Sequence, residues 1–241
     1  MEGPIAPRRI VAIDHDSGAL RTLYDPNPEL TQGAFIPAQK RQWRTPLGDE
    51  VFGYLLIPEG QAPWPLIVVQ YRALGVLRGG VGDEYPIQAF ARAGFAVLAL
   101  ERPAPFAPRV REGPADEIDQ LEWSDLSERW RTLAALTSGI ETLVREGLVD
   151  GARVGVTGLS DGAETAAFAL IHCKCIAAAA LSSGVHDPSS LYFASDAERR
   201  SMRLGGRGEN GELWPSLSLS RNAADIETPI LGRSTPEGAR D

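Results

Sequence analysis

Apolar positions along the 241-residue chain fall into two rhythms. Near the start, residues 9–14 and 19–24 are short β-like runs, and His15, Asp16, Ser17 and Gly18 between them have a turn composition, so a hairpin is predicted. Two strands cannot bury a face by themselves, which makes this piece either a lean-to on the rest of the chain or the remnant of a larger β domain. Asp25, Pro26, Asn27 and Pro28 then break the pattern as a linker.

From about residue 34 strands and helices alternate. Residues 51–57 predict a strand closed by Pro58, Glu59 and Gly60, and residues 66–69 form a continuous apolar run, as in a strand buried on both faces. A glycine-rich loop, a helix over 84–93 and a second buried run over 95–100 follow. Trp123, Leu126, Trp130, Leu133, Leu136, Ile140, Leu143 and Val144 step by three or four, which marks one face of a helix and places both tryptophans in the core. Gly147 stops that helix. After a turn at Asp150 and Gly151 come a strand over 153–157, a helix of small residues over 161–172 and a buried strand over 176–181. Beyond 181 the signal thins to a short helix over 196–203, a regular stretch at 228–231 and loop over 232–241. Repeated β-α-β units with buried strands predict an α/β fold, a mostly parallel sheet with helices on both faces.

Composition narrows the function. At 43% hydrophobic and 23% charged, the chain has enough apolar residues for one substantial core. Its 24 Lys+Arg against 32 Asp+Glu leave a net charge of -8, with no basic stripe for a phosphate backbone, so no nucleic-acid partner is expected. Cys173 and Cys175 stand one residue apart, a spacing too tight for an ordinary structural disulfide and lacking two further ligands for zinc. Reduced thiols in a cytoplasmic protein are therefore expected, with no metal and no cofactor. Residues 1–9 carry no apolar core of signal-peptide length, and no run is long enough to span a membrane.

The sharpest chemical feature is Gly158-Leu159-Ser160-Asp161-Gly162, a G-x-S-x-G motif. A serine is a poor nucleophile unless it is held clear of the backbone beside a base. A sharp strand-to-helix turn meets the first condition, and crowding in such a turn demands small neighbours. The strand over 153–157 stands before the motif, and Ala163, Ala166 and Ala167 lie behind it, the order that such an elbow requires. The bland alternative is that Ser160 merely caps a helix. Acyl transfer also needs donors for the developing oxyanion. The backbone N–H of Asp161 is one by geometry, and the loop after the strand over 66–69 should supply a second, for which Tyr71 is the candidate.

The runs 66–72 and 75–86, together with 154–163, resemble the catalytic domain of prolyl oligopeptidase-type serine peptidases, most closely the lasso peptide isopeptidases. The resemblance implies a partial α/β-hydrolase fold over residues 34–241, preceded at 1–33 by a β segment similar to the end of a β-propeller. It implies Ser160 as nucleophile, Tyr71 as oxyanion tyrosine with the Asp161 N–H beside it, and hydrolysis of amide bonds in a peptide substrate, here the isopeptide that closes a threaded ring.

In the α/β-hydrolase order the acid and then the histidine follow the serine. Residues 228–231 match the start of the strand that should deliver the acid, but residues 232–241 do not resemble the family. Of the three histidines, His15 precedes the domain, His172 ends the helix after the elbow, and His186 follows the next strand beside Asp187, a candidate helix cap. None is in register. An intact elbow without its histidine predicts a serine peptidase whose isolated 241 residues are weakly active or inactive, a truncated fragment. A small esterase with His186 recruited as base is the other catalytic reading. Asp83 and Glu84 read as solvated helix-start carboxylates.

Overall fold

The computed structural model describes residues 1–3, 6–32, 35–76, 79–80, 86–105, 125–183, 187 and 214–233. Strands β1 (Ile10–Ile13) and β2 (Leu20–Tyr24) form the expected antiparallel hairpin as a separate two-stranded sheet. The chain then builds β3 (Ala38–Arg44), β4 (Glu50–Leu56), β5 (Trp64–Tyr71), β6 (Ala73–Val76), β7 (Gly79–Gly80), α1 (Ile87–Arg92) and β8 (Ala96–Glu101). After these come α2 (Ser127–Arg145), β9 (Val149–Leu159), α3 (Asp161–His172), β10 (Ala178–Ser182), α4 (Leu219–Asn222) and β11 (Ile230–Arg233).

Seven of these strands form one sheet in the order β11-β10-β9-β5-β8-β4-β3. The ladders from β11 to β8 are parallel, whereas β8-β4 and β4-β3 are antiparallel. Each parallel pair needs a crossover, and the helices that make the crossovers cover both faces. Residues of β5 alternate between the two. Leu66 and Val68 face α2 and α3, packing in the cluster that holds Leu133, Leu136, Ala163 and Phe168. Val69 faces the other way, packing with Leu56 and Val97 against Ile87 and Ala91 of α1. This is the mostly parallel, doubly covered sheet that the alternation predicts.

Strand β3 was not legible in that alternation. Its sequence AQKRQWR carries one large apolar side chain, Trp43, because it lies at the sheet edge. Trp43 ties it to α2, donating its indole N–H to the Ala135 carbonyl at 3.2 Å and to Ser138 Oγ at 3.1 Å, and Arg41 pairs with Glu146 at the helix's C-terminal end. A Cβ on Gly139 would sit 2.8 Å from Trp43 Cζ2, which accounts for a glycine in mid-helix.

Two expectations need correction. Trp130 is 40% exposed rather than part of the core; it covers the rim, its ring 4.9 Å from Phe168 and 4.5 Å from His172. Cys173 and Cys175 are joined in a disulfide rather than free. Cys173 leaves the end of α3 in an extended conformation, and this puts the two Cα atoms 5.3 Å apart, within ordinary disulfide range despite the short spacing. Trp123, Asp83, Glu84, His186 and the helix expected over 196–203 lie outside the described residues.

Candidate active site

Ser160 sits between the end of β9 and the start of α3, at φ 54 and ψ -124. A non-glycine residue rarely holds positive φ, and doing so costs about 1–3 kcal/mol, which the surroundings must offset. They do so from three sides. The Ser160 N–H donates to the carbonyls of Ser182 and Ser183 at the end of β10, both at 3.1 Å. Its carbonyl accepts from Ala163 N–H at 2.8 Å and from Glu164 N–H at 3.2 Å, opening the helix. Gly158 closes the turn: a Cβ there would fall 2.2 Å from both C and O of Gly162. The side chain of Ser160 makes no capping hydrogen bond and the residue is exposed, so the cap reading does not describe it.

The neighbouring strand ends complete the surroundings. Gln70 and Tyr71 close β5, with Gln70 opposite Gly158 on one side and Leu100 on the other, and Tyr71 opposite Glu101. The Tyr71 backbone therefore stands one strand away from the elbow; its side chain lies outside what is described. The Glu101 carboxylate holds the backbone that leaves β5, accepting from Ala73 N–H at 2.6 Å and from Arg72 at 3.3 Å. Gln70 is 1% exposed, and among the described residues neither its Oε1 nor its Nε2 finds a hydrogen-bond partner.

Behind the serine lies a charge cluster that motif reading did not find. Asp161 receives Arg102 Nη1 on Oδ2 and Arg129 Nη2 on Oδ1, each at 2.6 Å. Arg129 also reaches Glu164 Oε2 at 2.7 Å and Thr165 Oγ1 at 3.0 Å. Burial pulls the Arg129 pKa down, but Asp161, Glu128 and Glu164 outweigh it and the net shift is upward. The Glu128 pKa is raised too: burial lifts it above the usual carboxylate range, Arg129 opposes the rise and Asp161 adds to it. One signal in the sequence pointed here, a charged residue at 129 on the apolar side of a helix, three positions after Leu126.

Neither of the two described histidines is hydrogen-bonded to Ser160. His15 is fully exposed at the hairpin turn. His172 ends α3, whose 12 residues span roughly 17 Å, and there it donates from Nε2 to the Ser216 carbonyl at 2.9 Å. Asp187 accepts from Ser218 Oγ at 2.9 Å and from Ser220 N–H at 2.9 Å; the cap of α4 is Ser218 itself, and the helix that Asp187 is expected to cap lies outside the described residues.

A parallel sheet with helices on both faces and a serine at a strained strand-to-helix turn define an α/β-hydrolase core. Comparison with known proteins agrees. The chain is 38% identical to the lasso peptide isopeptidase AtxE2 of Asticcacaulis excentricus over 98% of its own length and 35% of the relative's. It superposes on the apo structure of that isopeptidase with a TM-score of 0.86 and 37% identity, covering 97% of this chain and 37% of that one. A serine-to-alanine variant with Astexin3-dC4 bound gives a TM-score of 0.87 at 35% identity, again over 97% and 37% of the two chains. Fold likeness extends to a puromycin-hydrolyzing peptidase of Mycobacterium tuberculosis, with a TM-score of 0.72 at 22% identity over 97% and 36% of the two chains. No family model matches. The chain is thus similar in sequence and fold to a lasso peptide isopeptidase, and it spans about a third of the length of that relative.

Proposed function

We propose that these residues form the nucleophile-bearing part of a serine peptidase that cleaves a peptide or isopeptide amide through an acyl-enzyme on Ser160. The observation that carries this reading is the positive φ of Ser160 at an exposed strand-to-helix turn, with its side chain spent on no cap. In the proposed reaction Ser160 Oγ attacks the amide carbonyl carbon while its proton passes to a general base. The carbonyl oxygen becomes an oxyanion that accepts hydrogen bonds from the Asp161 N–H and the Tyr71 hydroxyl. Collapse of the tetrahedral species breaks the C–N bond, the base returns the proton to the leaving amine, and water then hydrolyses the ester. Among the described residues no histidine reaches Ser160, so the base is assigned to none of them.

The substrate class is proposed from the relative's name: a lasso peptide, whose ring-closing isopeptide presents a secondary amide like any other to the serine. Residues 1–33 are proposed as the end of a propeller-like β segment and 34–241 as the hydrolase domain; support comes from the hairpin's lying in a sheet of its own. A cytoplasmic location no longer draws on free thiols. Alkylation in intact cells tests it, two reactive thiols fitting the cytoplasm and none fitting the Cys173–Cys175 disulfide and an oxidising compartment.

The test is hydrolysis of a lasso peptide by this chain, followed by mass spectrometry. Ring opening adds one water and should vanish in Ser160→Ala. Equal conversion by both proteins would overturn the assignment.

A further inference from the structure

We infer that Arg129 is a positioning residue for the oxyanion donor, acting through Asp161; the inference rests on the proposed role of Ser160. Arg129 is 2% exposed and comes from α2, a different element from the elbow it serves. Its guanidinium engages three residues in the first turns of α3: the Asp161 carboxylate, the Glu164 carboxylate and the Thr165 hydroxyl. Thr165 Oγ1 in turn donates to the Asp161 carbonyl at 3.0 Å, so backbone and side chain of the same residue are both gripped. Arg102, from the end of β8, takes the second carboxylate oxygen.

Two consequences follow for the reaction. The Asp161 N–H belongs to the peptide unit between Ser160 and Asp161, and its direction depends on ψ of Ser160 and φ of Asp161. Ser160 holds a sparsely populated conformation, and a rotation of that peptide plane would turn the donor away from the substrate. Holding the Asp161 side chain from two sides opposes the rotation. The second consequence is electrostatic. Two carboxylates, Asp161 and Glu164, stand in the first turn of α3 beside the position of the oxyanion, where they would repel the charge that the helix N-terminus attracts. Arg102 and Arg129 compensate them. Arg129 thus keeps the donor aimed and the local field favourable without touching substrate.

The experiment measures inactivation by a fluorophosphonate, whose phosphoryl oxygen takes the oxyanion's place, in the full chain and in Arg129→Lys, Arg129→Ala and Ser160→Ala. Binding and bond formation are separated by varying probe concentration, and melting temperature is recorded for each protein. Arg129→Lys keeps the charge but loses the fork and guards against a misfolded alanine variant. The expected result is an unchanged probe affinity with a maximal inactivation rate lowered about 10-fold in Arg129→Lys. In Arg129→Ala the fall approaches the roughly 10²- to 10³-fold known for loss of an oxyanion donor. Millimolar guanidinium should partly restore Arg129→Ala. Folded variants that react within twofold of the parent, or that lose affinity alone, would overturn the inference while leaving Ser160 in place. No Ser160-dependent reaction in the parent would overturn both.

Discussion

Gly158→Ala puts the elbow's geometry to a quantitative test. The added Cβ would lie 2.2 Å from C and O of Gly162 and 2.7 Å from N of Ala163, all backbone atoms that no rotamer change can move. Ordinary contact begins near 3.4 Å, so the end of β9 and the start of α3 must separate by about 1.2 Å, the difference 3.4 − 2.2. Overpacking a well-filled site costs typically about 1–3 kcal/mol. With backbone on both sides the upper end applies, about 3 kcal/mol. A displacement of about 1 Å at a reacting group lowers rate about 10²-fold, so inactivation at Ser160 should fall at least that much. Gly155→Ala is the internal control. It lies in the same strand, but its Cβ would find Ala178 O and Leu66 O at 3.7 Å, an ordinary contact. Urea unfolding monitored by tryptophan fluorescence gives the stabilities, and the slope should be the same for all three proteins. If Gly158→Ala matches Gly155→Ala in midpoint and in reactivity, the close approach of residues 158 and 162 is not what shapes the turn.

Two further outcomes follow from the buried charges. Because the Glu128 carboxyl binds its proton more tightly folded than unfolded, stability contributed by this group falls as pH rises from its unfolded value of 4.5 through the higher folded value. Glu128→Gln should therefore be more stable than the parent at pH 7 and indistinguishable from it at pH 4 and below; a difference independent of pH in urea titrations would contradict the assignment. One turn further along α2, Arg131 grips Asp49 through Nε at 2.9 Å and Nη2 at 2.5 Å, joining the helix to the β3–β4 turn. Asp49→Ala removes this forked carboxylate contact from a buried guanidinium and should cost about 3 kcal/mol, seen as a lower urea midpoint at constant slope; a loss under about 1 kcal/mol would place the pair with surface bridges.

What could be read in advance depended on whether a residue's environment left a local trace. The elbow did, since strand, G-x-S-x-G and alanine-rich helix are contiguous and each constrains the next. The parallel core did as well, through unbroken apolar runs at 66–69 and 95–100. β3 left none: at the sheet edge its exposed positions are polar, and its ties to α2, Trp43 with Ser138 and Arg41 with Glu146, span 95 and 105 residues. Arg102 left no trace for a related reason, and Arg129 left only its place on the apolar side of a helix. An arginine reads as surface until the fold brings Asp161 and Glu164 against it, and that meeting spans 59 residues in one case and 32 in the other. Trp130 shows the converse error, because helical spacing identifies a face but not how far along the helix the cover extends.

The claim on which the rest depends is that Ser160 is the nucleophile. Fluorophosphonate treatment of the folded chain, proteolysis and peptide mass spectrometry test it directly. The account expects an adduct on the peptide containing Ser160 and none in Ser160→Ala, even if a base outside the described residues leaves the reaction slow. An unmodified Ser160 in a chain that melts cooperatively, or equal modification of the two proteins, would contradict it.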